Sequence, residues 1–449
     1  MTPRAALPGD ALPGLHARFP EKYPVLLESV GGGAPLGRYD VLLALPGAHL
    51  VQAADGSLQG HCQDSDVRFL DALDGWVRAE RAPAAGRKSP FVGGWFLYLG
   101  YELAAEIEPS LVLPRSHYAR AMAWRMRGAV IRDRVSGEVS VMAEGDGSDA
   151  LSRQVEADLG CLRPSPDGTG HLLDGDVVED PPERFLRGVQ AVLDAIARGD
   201  VYQANLSRGW QATLAEGATA ADLYLRLRSA NPAPFAGSAA LPGFDVLCSS
   251  PERLLQIREG VANTRPIAGT RPRGQTSLAD ATLKRELVLN EKEKAEHVML
   301  VDLERNDLGR ICQGGTVEVD EFMTVETYAT VHHIVSNVRG RLREGVTPGQ
   351  AIAAVFPGGT ITGCPKVRCM QLLADLEREP RDAYTGSMGY LGVDGALDLN
   401  ILIRTLTVAG RRIDFRTGAG IVADSQPAAE LDETRAKAQG LLRALGRMT

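Results

Sequence analysis

The sequence lacks the features of a nucleic-acid-binding, membrane or disulfide-bonded protein. Its six cysteines are scattered over 449 residues without a CxxC pair, which indicates neither a disulfide framework nor a zinc site. A net charge of −8 without a basic stripe argues against a nucleic-acid surface. No apolar run approaches the roughly 20 residues of a membrane span, and the first residues, MTPRAALPGDALPG, lack a signal-peptide core. We therefore expect a cytoplasmic protein with reduced thiols that binds neither membranes nor nucleic acid.

Motifs for nucleotide binding and for glutamine cleavage are also missing. The sequence contains no Walker loop and no Rossmann fingerprint, so nucleotide chemistry is not indicated. No cysteine lies in a Gly-x-Cys-x-Gly setting, so a glutaminase nucleophile is not indicated either. What is present is an ordinary globular composition, with 44% apolar and 24% charged residues. The length allows a large buried core.

A predicted linker divides the chain into two lobes. Residues 162–183, LRPSPDGTGHLLDGDVVEDPPE, are rich in proline, glycine and aspartate without a sustained period, which predicts a surface linker. Residues 1–161 are predicted as a strand-rich N-terminal lobe, with strands in YDVLLAL and WFLYLGYEL and a hairpin that turns near Ser136 and Gly137. Residues 184–449 mix helices and strands and are predicted as the catalytic lobe.

Three helices of the second lobe are predicted from local patterns. Apolar residues on one face predict a helix over 184–198 that Gly199 ends. The charged, helix-favouring stretch 282–303 predicts a second helix. Asp424 or Ser425 is predicted to begin the last one.

Alternating residues in VYQANLSRGW predict a strand. Tyr202, Ala204 and Leu206 are predicted to pack on one face. Gln203 and Asn205 then present amides on the other face.

Paired acids occur on two of the predicted helices. Glu293 and Glu296 are three residues apart, as are Glu430 and Glu433, so each pair shares a helix face. Lys437 lies one turn beyond the second pair. If the four carboxylates converged, they would repel unless a hard cation such as Mg²⁺ lay among them. Spacing alone is more typical of ordinary solvated helix faces than of a metal site.

Three glycine-bearing segments lie between predicted elements: RPIAGTRPRG, FPGGTITGCPK and RTGAGIVADS. Exposed backbone amides in such segments can hold a carboxylate, with help from a fixed cation such as Arg404. Each segment taken alone is more often an ordinary turn than a carboxylate-binding loop.

Two residues are candidates for moving protons. His333, in TVHHIVS, can act as an acid or a base near neutral pH, but a structural histidine is the alternative. Glu252, in SSPERLL, could protonate a leaving hydroxyl if its pKa is raised. The alternative is an exposed turn acid or a partner of Arg253.

Taken together, the segments resemble the chorismate-utilising enzymes, which include anthranilate synthase component I, aminodeoxychorismate synthase component I and the isochorismate and salicylate synthases. The motifs follow in family order: GDVYQANLSR, SSPERLL, RPIAGTRPRG, KAEHVMLVDLERNDLGR, TVHHIVS, FPGGTITGCPKVR, GSMGYLG, LNILIRTL, GAGIVADS and AELDETRAKA. PVLLES and FVGGWFLYLGYE extend the resemblance into the first lobe. It implies an α+β fold in which two large antiparallel sheets pack as a sandwich, with helices outside and the active site in a cleft.

The resemblance also implies site residues. Glu296 and Glu433 match magnesium ligands, with Glu293 and Glu430 as nearby acids, and the metal would hold the ring carboxylate of chorismate. The groups matching those that hold the enolpyruvyl carboxylate are Arg404, Tyr390 and the backbone of Gly418, Ala419 and Gly420. The positions that match the lining of the reacting ring are Glu252, His333, Thr360, Thr362, Gly363 and Lys437. Gln203, Ala268 and Thr270 complete the predicted catalytic set.

The predicted reaction is an amination. Water-adding relatives resemble one another in a lysine base at the position of Gln203, and ammonia needs no such base. Ala268 resembles the alanine that anthranilate synthases carry at this position. Gly359 favours aminodeoxychorismate synthases, and so does the segment NPAPFAG, because it lacks the Tyr-Met of a tryptophan feedback site. We predict an aminating subunit that makes 4-amino-4-deoxychorismate with ammonia from a separate glutamine amidotransferase. Anthranilate synthase component I is the alternative, and an inactive binding paralogue, which would show damaged ligands, is the second.

Overall fold

The computed structural model describes residues 2–4, 9–31, 37–62, 67–82, 89–162, 171–328 and 331–447. Its strands are β1 Thr2–Arg4, β2 Val25–Glu28, β3 Tyr39–Gln52, β4 Leu58–Gly60, β5 Gly94–Leu99, β6 Ala121–Asp133, β7 Val139–Ala143, β8 Val178–Glu179, β9 Gln203–Thr213, β10 Phe235–Leu241, β11 Phe244–Ser250, β12 Arg253–Arg258, β13 Val261–Arg265, β14 Ile267–Pro272, β15 Glu318–Thr327, β16 Val331–Arg341, β17 Gly363–Cys364, β18 Ser387–Gly392, β19 Leu397–Asn400, β20 Thr405–Ala409 and β21 Arg412–Ile421.

The α-helices of the described residues are α1 Ala11–Arg18, α2 Phe69–Glu80, α3 Ala104–Ile107, α4 Ser148–Gly160, α5 Pro182–Ala197, α6 Ala220–Ala230, α7 Ser277–Leu289, α8 Glu291–Gly309, α9 Pro348–Val355, α10 Lys366–Glu377 and α11 Pro427–Ala444. Short 3₁₀ turns cover Tyr101–Leu103 and Gly359–Ile361. None of these helices is long and apolar enough to cross a membrane.

The described strands form one antiparallel hydrogen-bonded network with two arms that start from the paired strands β3 and β6. The first arm runs from β3 through β2, β10, β11, β20 and β21 to β9. The second arm runs from β6 through β5, β18, β19, β12 and β13 to β16, where β14 and β15 also pair. The two arms are the two sheets of the fold.

The largest apolar core lies between the two arms. Val246 and Cys248 of the first arm belong to it together with Leu255 and Leu399 of the second. Leu247, between Val246 and Cys248, points the other way, into a second core with α1, α6 and α11, as the two-residue period of a strand requires. The chain therefore has the predicted α+β fold, a sandwich of two antiparallel sheets with helices outside.

Strands on either side of the predicted linker pair with each other. The first arm crosses at β2 and β10, where Leu27 pairs with Gly237. The second arm crosses at β5 and β18, where Leu97 pairs with Gly389. Residues 163–170 of the predicted linker lie outside the described residues, and its last part contains β8 and the first residues of α5.

Several local predictions can be compared with the structure. The helix predicted over 184–198 is α5, and the hairpin is β6 and β7. The helix predicted over 282–303 is two helices, because the Asn290 side chain accepts a hydrogen bond from the Glu293 amide and begins α8. The last helix begins later than predicted, because the Ser425 hydroxyl accepts instead from the Val422 amide. Tyr202 is 68% exposed and does not pack, since β9 starts at Gln203.

Candidate active site

The ends of the two arms carry most of the predicted site residues. β9 and β21 end the first arm, and α11 packs on β21. β14 and β16 end the second arm, and α8 packs on both. One contact joins the two ends: the Gln203 amide of β9 donates a hydrogen bond from Nε2 to Glu296 Oε1 of α8, at 2.8 Å. The candidate site therefore lies between the two sheet ends.

The glycine segment of β21 lies next to these groups. A Cβ added at Gly420 would be 2.6 Å from Gln203 Nε2, so a side chain there would displace the amide. The Gly418 carbonyl accepts a hydrogen bond from Lys437 Nζ at 3.0 Å. Lys437 also forms a 2.7 Å ion pair with Glu433 one turn earlier on α11. Ala419, between the two glycines, buries its side chain in the core against α5, so only its backbone can face the site.

Glu252 is a buried acid between β11 and β12. Burial raises the pKa of Glu252 to about 7, although the Thr360 hydroxyl, the Ile267 amide and the positive charges of Arg404 and Lys437 all favour its ionised form. Its Oε1 atom has no hydrogen-bond partner among the described residues. The carboxyl is therefore partly protonated near neutral pH and can give a proton to a bound ligand.

His333 and Thr270 face each other across β14 and β16. His333 Nδ1 and Thr270 Oγ1 are 2.9 Å apart. Burial, with the positive charge of Arg404, lowers the pKa of His333 to about 3. The imidazole is thus neutral at physiological pH, so it can accept or donate a hydrogen bond without carrying charge.

Arg404 has no hydrogen bond or ion pair from its guanidinium to any residue that the structure describes. Burial lowers the pKa of Arg404, and the nearby Glu252 carboxylate opposes that change. Its backbone has a φ of 51°, in the left-handed region that costs a non-glycine residue about 1 kcal/mol or more. A partly buried guanidinium that is not hydrogen-bonded within the described structure is suited to bind an anionic group, most simply a carboxylate.

The loop that links α9 to α10 brings Thr360, Thr362 and Gly363 to the same region. The Thr362 hydroxyl donates to the Gly358 carbonyl at 2.9 Å, so it fixes the loop and does not project from it. The Thr360 hydroxyl is buried without a hydrogen-bond partner among the described residues, and it lies beside Glu252. Gly363 pairs with Ala204 of β9. Thr360 is therefore the member of this loop that is available to a ligand.

The four predicted acids differ in their surroundings. Glu296 contacts Gln203, and Glu433 contacts Lys437. Glu293 forms a 2.6 Å ion pair with Arg271, and its Oε2 atom is buried without a hydrogen-bond partner in the described structure. Glu430 is buried in the first turn of α11. No group of three or more His, Cys, Asp or Glu side chains among the described residues could hold a metal ion.

Two carboxylates still fit a hard cation. Glu296 and Glu433 approach the glycine segment of β21 from opposite helices, through Gln203 and Lys437 respectively. Magnesium takes oxygen ligands, usually one or two carboxylates, and keeps several waters. The donor chemistry of this pair therefore fits magnesium.

Tyr390 is the one predicted residue whose contacts lie elsewhere. Its hydroxyl accepts a 3.2 Å hydrogen bond from Arg258, and burial raises the pKa of Tyr390 to about 12. Tyr390 lines a cavity of about 940 Å³ together with Arg258 and Asp398. None of the other predicted site residues, all of which lie in the described part of the chain, lines this cavity. The structure therefore does not place Tyr390 with Arg404.

A different tyrosine lies at the glycine segment. A Cβ added at Gly418 would be 2.8 Å from the Tyr384 hydroxyl, and it would also meet Asn205 Oδ1, a buried atom without a hydrogen-bond partner among the described residues. Neither Tyr384 nor Asn205 is among the predicted site residues. The amide face predicted for VYQANLSRGW was a signal for Asn205. No local pattern indicates Tyr384, because its contact with Gly418 depends on the fold.

Ala268 is buried in β14, just before a bulge at Gly269, where φ is +74°. The Gly269 position faces the carboxyl end of Glu293, which would meet any side chain there. The segment PIAGT therefore lies under α8 and close to the acid pair.

The structure thus brings together an arginine, the backbone of a glycine segment and a buried acid with a raised pKa, an arrangement whose chemistry suits a small anionic ligand. The chorismate binding enzyme family matches residues 46–443, and the chain belongs to that family.

Individual relatives agree with this family. The chain is 42% identical over 362 residues to an anthranilate synthase component I-like protein of Synechocystis, with 79% of this chain and 73% of the relative covered. It is 48% identical over 261 residues to aminodeoxychorismate synthase component 1 of Bacillus subtilis, a match that spans 58% of this chain and about half of that relative, 55%. The crystal structure of anthranilate synthase component I from Streptococcus pneumoniae superposes with a TM-score of 0.80 at 30% identity, covering 91% of this chain and 93% of that one.

Proposed function

We propose that this chain converts chorismate and ammonia to 4-amino-4-deoxychorismate, the branch that leads to 4-aminobenzoate and folate, and takes its ammonia from a glutamine amidotransferase subunit. The observation that carries the proposal is the group formed by Glu252, Arg404 and Gln203. It combines a proton donor with a raised pKa, an arginine whose guanidinium has no hydrogen bond or ion pair among the described residues, and a neutral amide at the position where water-adding relatives have a base.

Each group has a role in this reaction. Arg404 and the amides of the glycine segment would hold the enolpyruvyl carboxylate of chorismate, next to Tyr384. Glu252 would give its proton to the ring hydroxyl as the C–O bond breaks, so that the hydroxyl leaves as water. Ammonia is already a nucleophile; it forms the new C–N bond and then loses one proton. His333, neutral and bonded to Thr270, would orient the ring.

Magnesium belongs to the proposal. Glu296 and Glu433 would hold it, and the bound ion would withdraw charge from the ring carboxylate of the substrate. Gln203 and Lys437 contact these two acids, so they would orient the carboxylates.

The choice of product rests on residues outside the proton-donor group. Phe235 and Ala236 of NPAPFAG line the 940 Å³ cavity, and this segment lacks the Tyr-Met of a tryptophan feedback site. Gly359 supports the same choice, although it also has a packing role, because a Cβ there would meet the Leu303 side chain of α8. Ala268 supports the alternative, anthranilate synthase component I, as do relatives with that name.

Product identification tests the proposal. With chorismate, magnesium and ammonium, we expect a product that becomes 4-aminobenzoate only after a separate aminodeoxychorismate lyase is added. Chromatography with mass detection identifies both compounds. Fluorescent anthranilate that accumulates without the lyase would support the alternative. Isochorismate as the main product would contradict amination altogether.

We further predict that the purified chain cannot use glutamine. Burial raises the pKa of the Cys248 thiol to about 11 and that of Cys369 to about 12, so neither is a ready nucleophile. Chorismate consumption should occur with ammonium at raised pH, where more ammonia is unprotonated. With glutamine it should require an added amidotransferase subunit. Turnover of glutamine by the chain alone, measured as glutamate release, would refute this prediction.

A further inference from the structure

Arg381 is a buried residue that connects the separate segments of the candidate site. Its Nη2 donates to the Asn205 carbonyl of β9 at 2.7 Å, and its Nη1 donates to the Ile361 carbonyl at 3.2 Å. Asn205 lies two residues after Gln203, and Ile361 follows Thr360. One guanidinium therefore ties together the strand and the loop that supply these side chains.

Glu377 holds that guanidinium in place. Arg381 donates to its two carboxylate oxygens, from Nε at 2.9 Å and from Nη2 at 2.7 Å. Burial acts to raise the pKa of Glu377, but the charges of Arg381 and Arg416 outweigh it and lower the pKa. The carboxylate also accepts from the amide and the hydroxyl of Ser207, both at 2.9 Å. Such a paired, planar contact fixes the orientation of the guanidinium as well as its position.

The same guanidinium lies over an aromatic ring of the site. Its centre is 5.6 Å from the ring centroid of Tyr384 and 4.8 Å from that of Tyr101. Tyr384 places its hydroxyl beside Gly418. Arg381 therefore contacts a third segment of the site, the one that faces the glycine strand.

The backbone at Arg381 is anchored by the N-terminal part of the chain. The amides of Arg381 and Asp382 donate to the two oxygens of Glu102, at 2.7 Å and 3.1 Å. Glu102 lies in the motif FVGGWFLYLGYE, directly after β5. The first lobe thus supports the site through this carboxyl group.

We propose that Arg381 is a positioning residue, which sets the spacing of β9, the Thr360 loop and Tyr384 around the substrate without touching it. The inference deepens the proposed function and rests on it. Three main-chain or aromatic contacts meet at one guanidinium, and each belongs to a different segment that carries a site residue. The geometry of the site therefore depends on the planar, branched shape of arginine.

The test compares a conservative change with a matched control. Arg381→Lys keeps the positive charge but loses the planar guanidinium and its several N–H donors. One side chain can then no longer hold β9, the Thr360 loop and Tyr384 together. We expect kcat/KM for chorismate to fall about 10-fold to 100-fold, with a rise in KM, because small misplacements of binding groups have effects of this size. Arg378→Lys, in the exposed turn three residues earlier, should keep wild-type kinetics. Partial unfolding alone would lower kcat and leave KM unchanged.

A second variant keeps the test valid if Arg381→Lys folds poorly. Arg381→Met combined with Glu377→Gln removes both charges of the buried ion pair, and Arg416, which loses Glu377, keeps its ion pair with Glu379, so the double variant should fold. We expect it to show the same rise in KM, and we expect backbone amide exchange over residues 358–364 to become faster while exchange over residues 220–230 stays unchanged.

Hydrogen exchange separates the inference from the proposed function. If the wild-type chain does not consume chorismate, the proposed function fails. Faster amide exchange of residues 358–364 in the Arg381 variants than in the wild type would still support Arg381 as the positioning residue. If the variants show wild-type KM, kcat and exchange, or lose kcat with KM and loop exchange unchanged, the inference is wrong.

Discussion

Replacing Glu252 by glutamine will lower kcat by about 10²-fold to 10⁴-fold, the range that a positioned general acid contributes. Glutamine has the shape of the protonated acid and fits a buried position, so the variant should fold and melt like the wild type. What it loses is the proton that would go to the leaving hydroxyl. Steady-state chorismate consumption with ammonium, at saturating magnesium, measures the effect.

The control is Glu344→Gln, which changes the same group on an exposed turn between β16 and α9. It should keep the wild-type rate. If Glu252→Gln retained more than about a tenth of wild-type kcat, a general-acid role for this residue would be wrong.

The pH dependence follows from the same residue. Glu252 has an ordinary pKa of 4.5, and burial raises it to about 7. Because the protonated form is the active one, the rate at a constant concentration of unprotonated ammonia should be highest below pH 7. It should fall as pH rises through that value. Glu252→Gln should abolish this fall, whereas a fall that persists in the variant would assign it to another group.

The secondary structure was largely readable where the local pattern was strong. The apolar face over 184–198 and the turn near Gly137 predicted α5 and the hairpin of β6 and β7 correctly. The break between α7 and α8 was missed because helix-favouring composition continues through Asn290. Only the hydrogen bond of its side chain to the Glu293 amide shows that a new helix starts there.

Local residue patterns predict fewer contacts of the candidate site than of the secondary structure. The spacing of Glu433 and Lys437 predicts their ion pair, since residues four apart share a helix face. The contact of Gln203 with Glu296 spans 93 positions and joins two sheet ends, so no local pattern predicts it. Tyr384 precedes β18 and Tyr390 lies within it, and only the fold shows which of the two faces the glycine strand.

Replacing either proposed metal ligand, Glu296→Gln or Glu433→Gln, will remove most turnover while the fold survives. A bound cation contributes several kcal/mol to stabilising negative charge on the substrate, which corresponds to a loss of about a hundredfold or more in rate. Glutamine keeps the volume of each side chain and one oxygen, but it removes the negative charge that attracts magnesium. Both positions are at least partly exposed, so neither change leaves a buried charge unpaired.

Magnesium titration distinguishes a ligand from a merely nearby acid. In the wild type, excess chelator should abolish chorismate consumption and added magnesium should restore it. In both variants, the magnesium concentration for half-maximal rate should rise, and calorimetry should show weaker binding of magnesium itself. Glu291→Gln is the matched control, because Glu291 is 85% exposed on the same helix and pairs only with Lys294 in the contacts described. Activity that persisted in chelator, or variants with wild-type magnesium dependence, would exclude Glu296 and Glu433 as the ligands and leave the glycine segment with Arg404 as the main binding element.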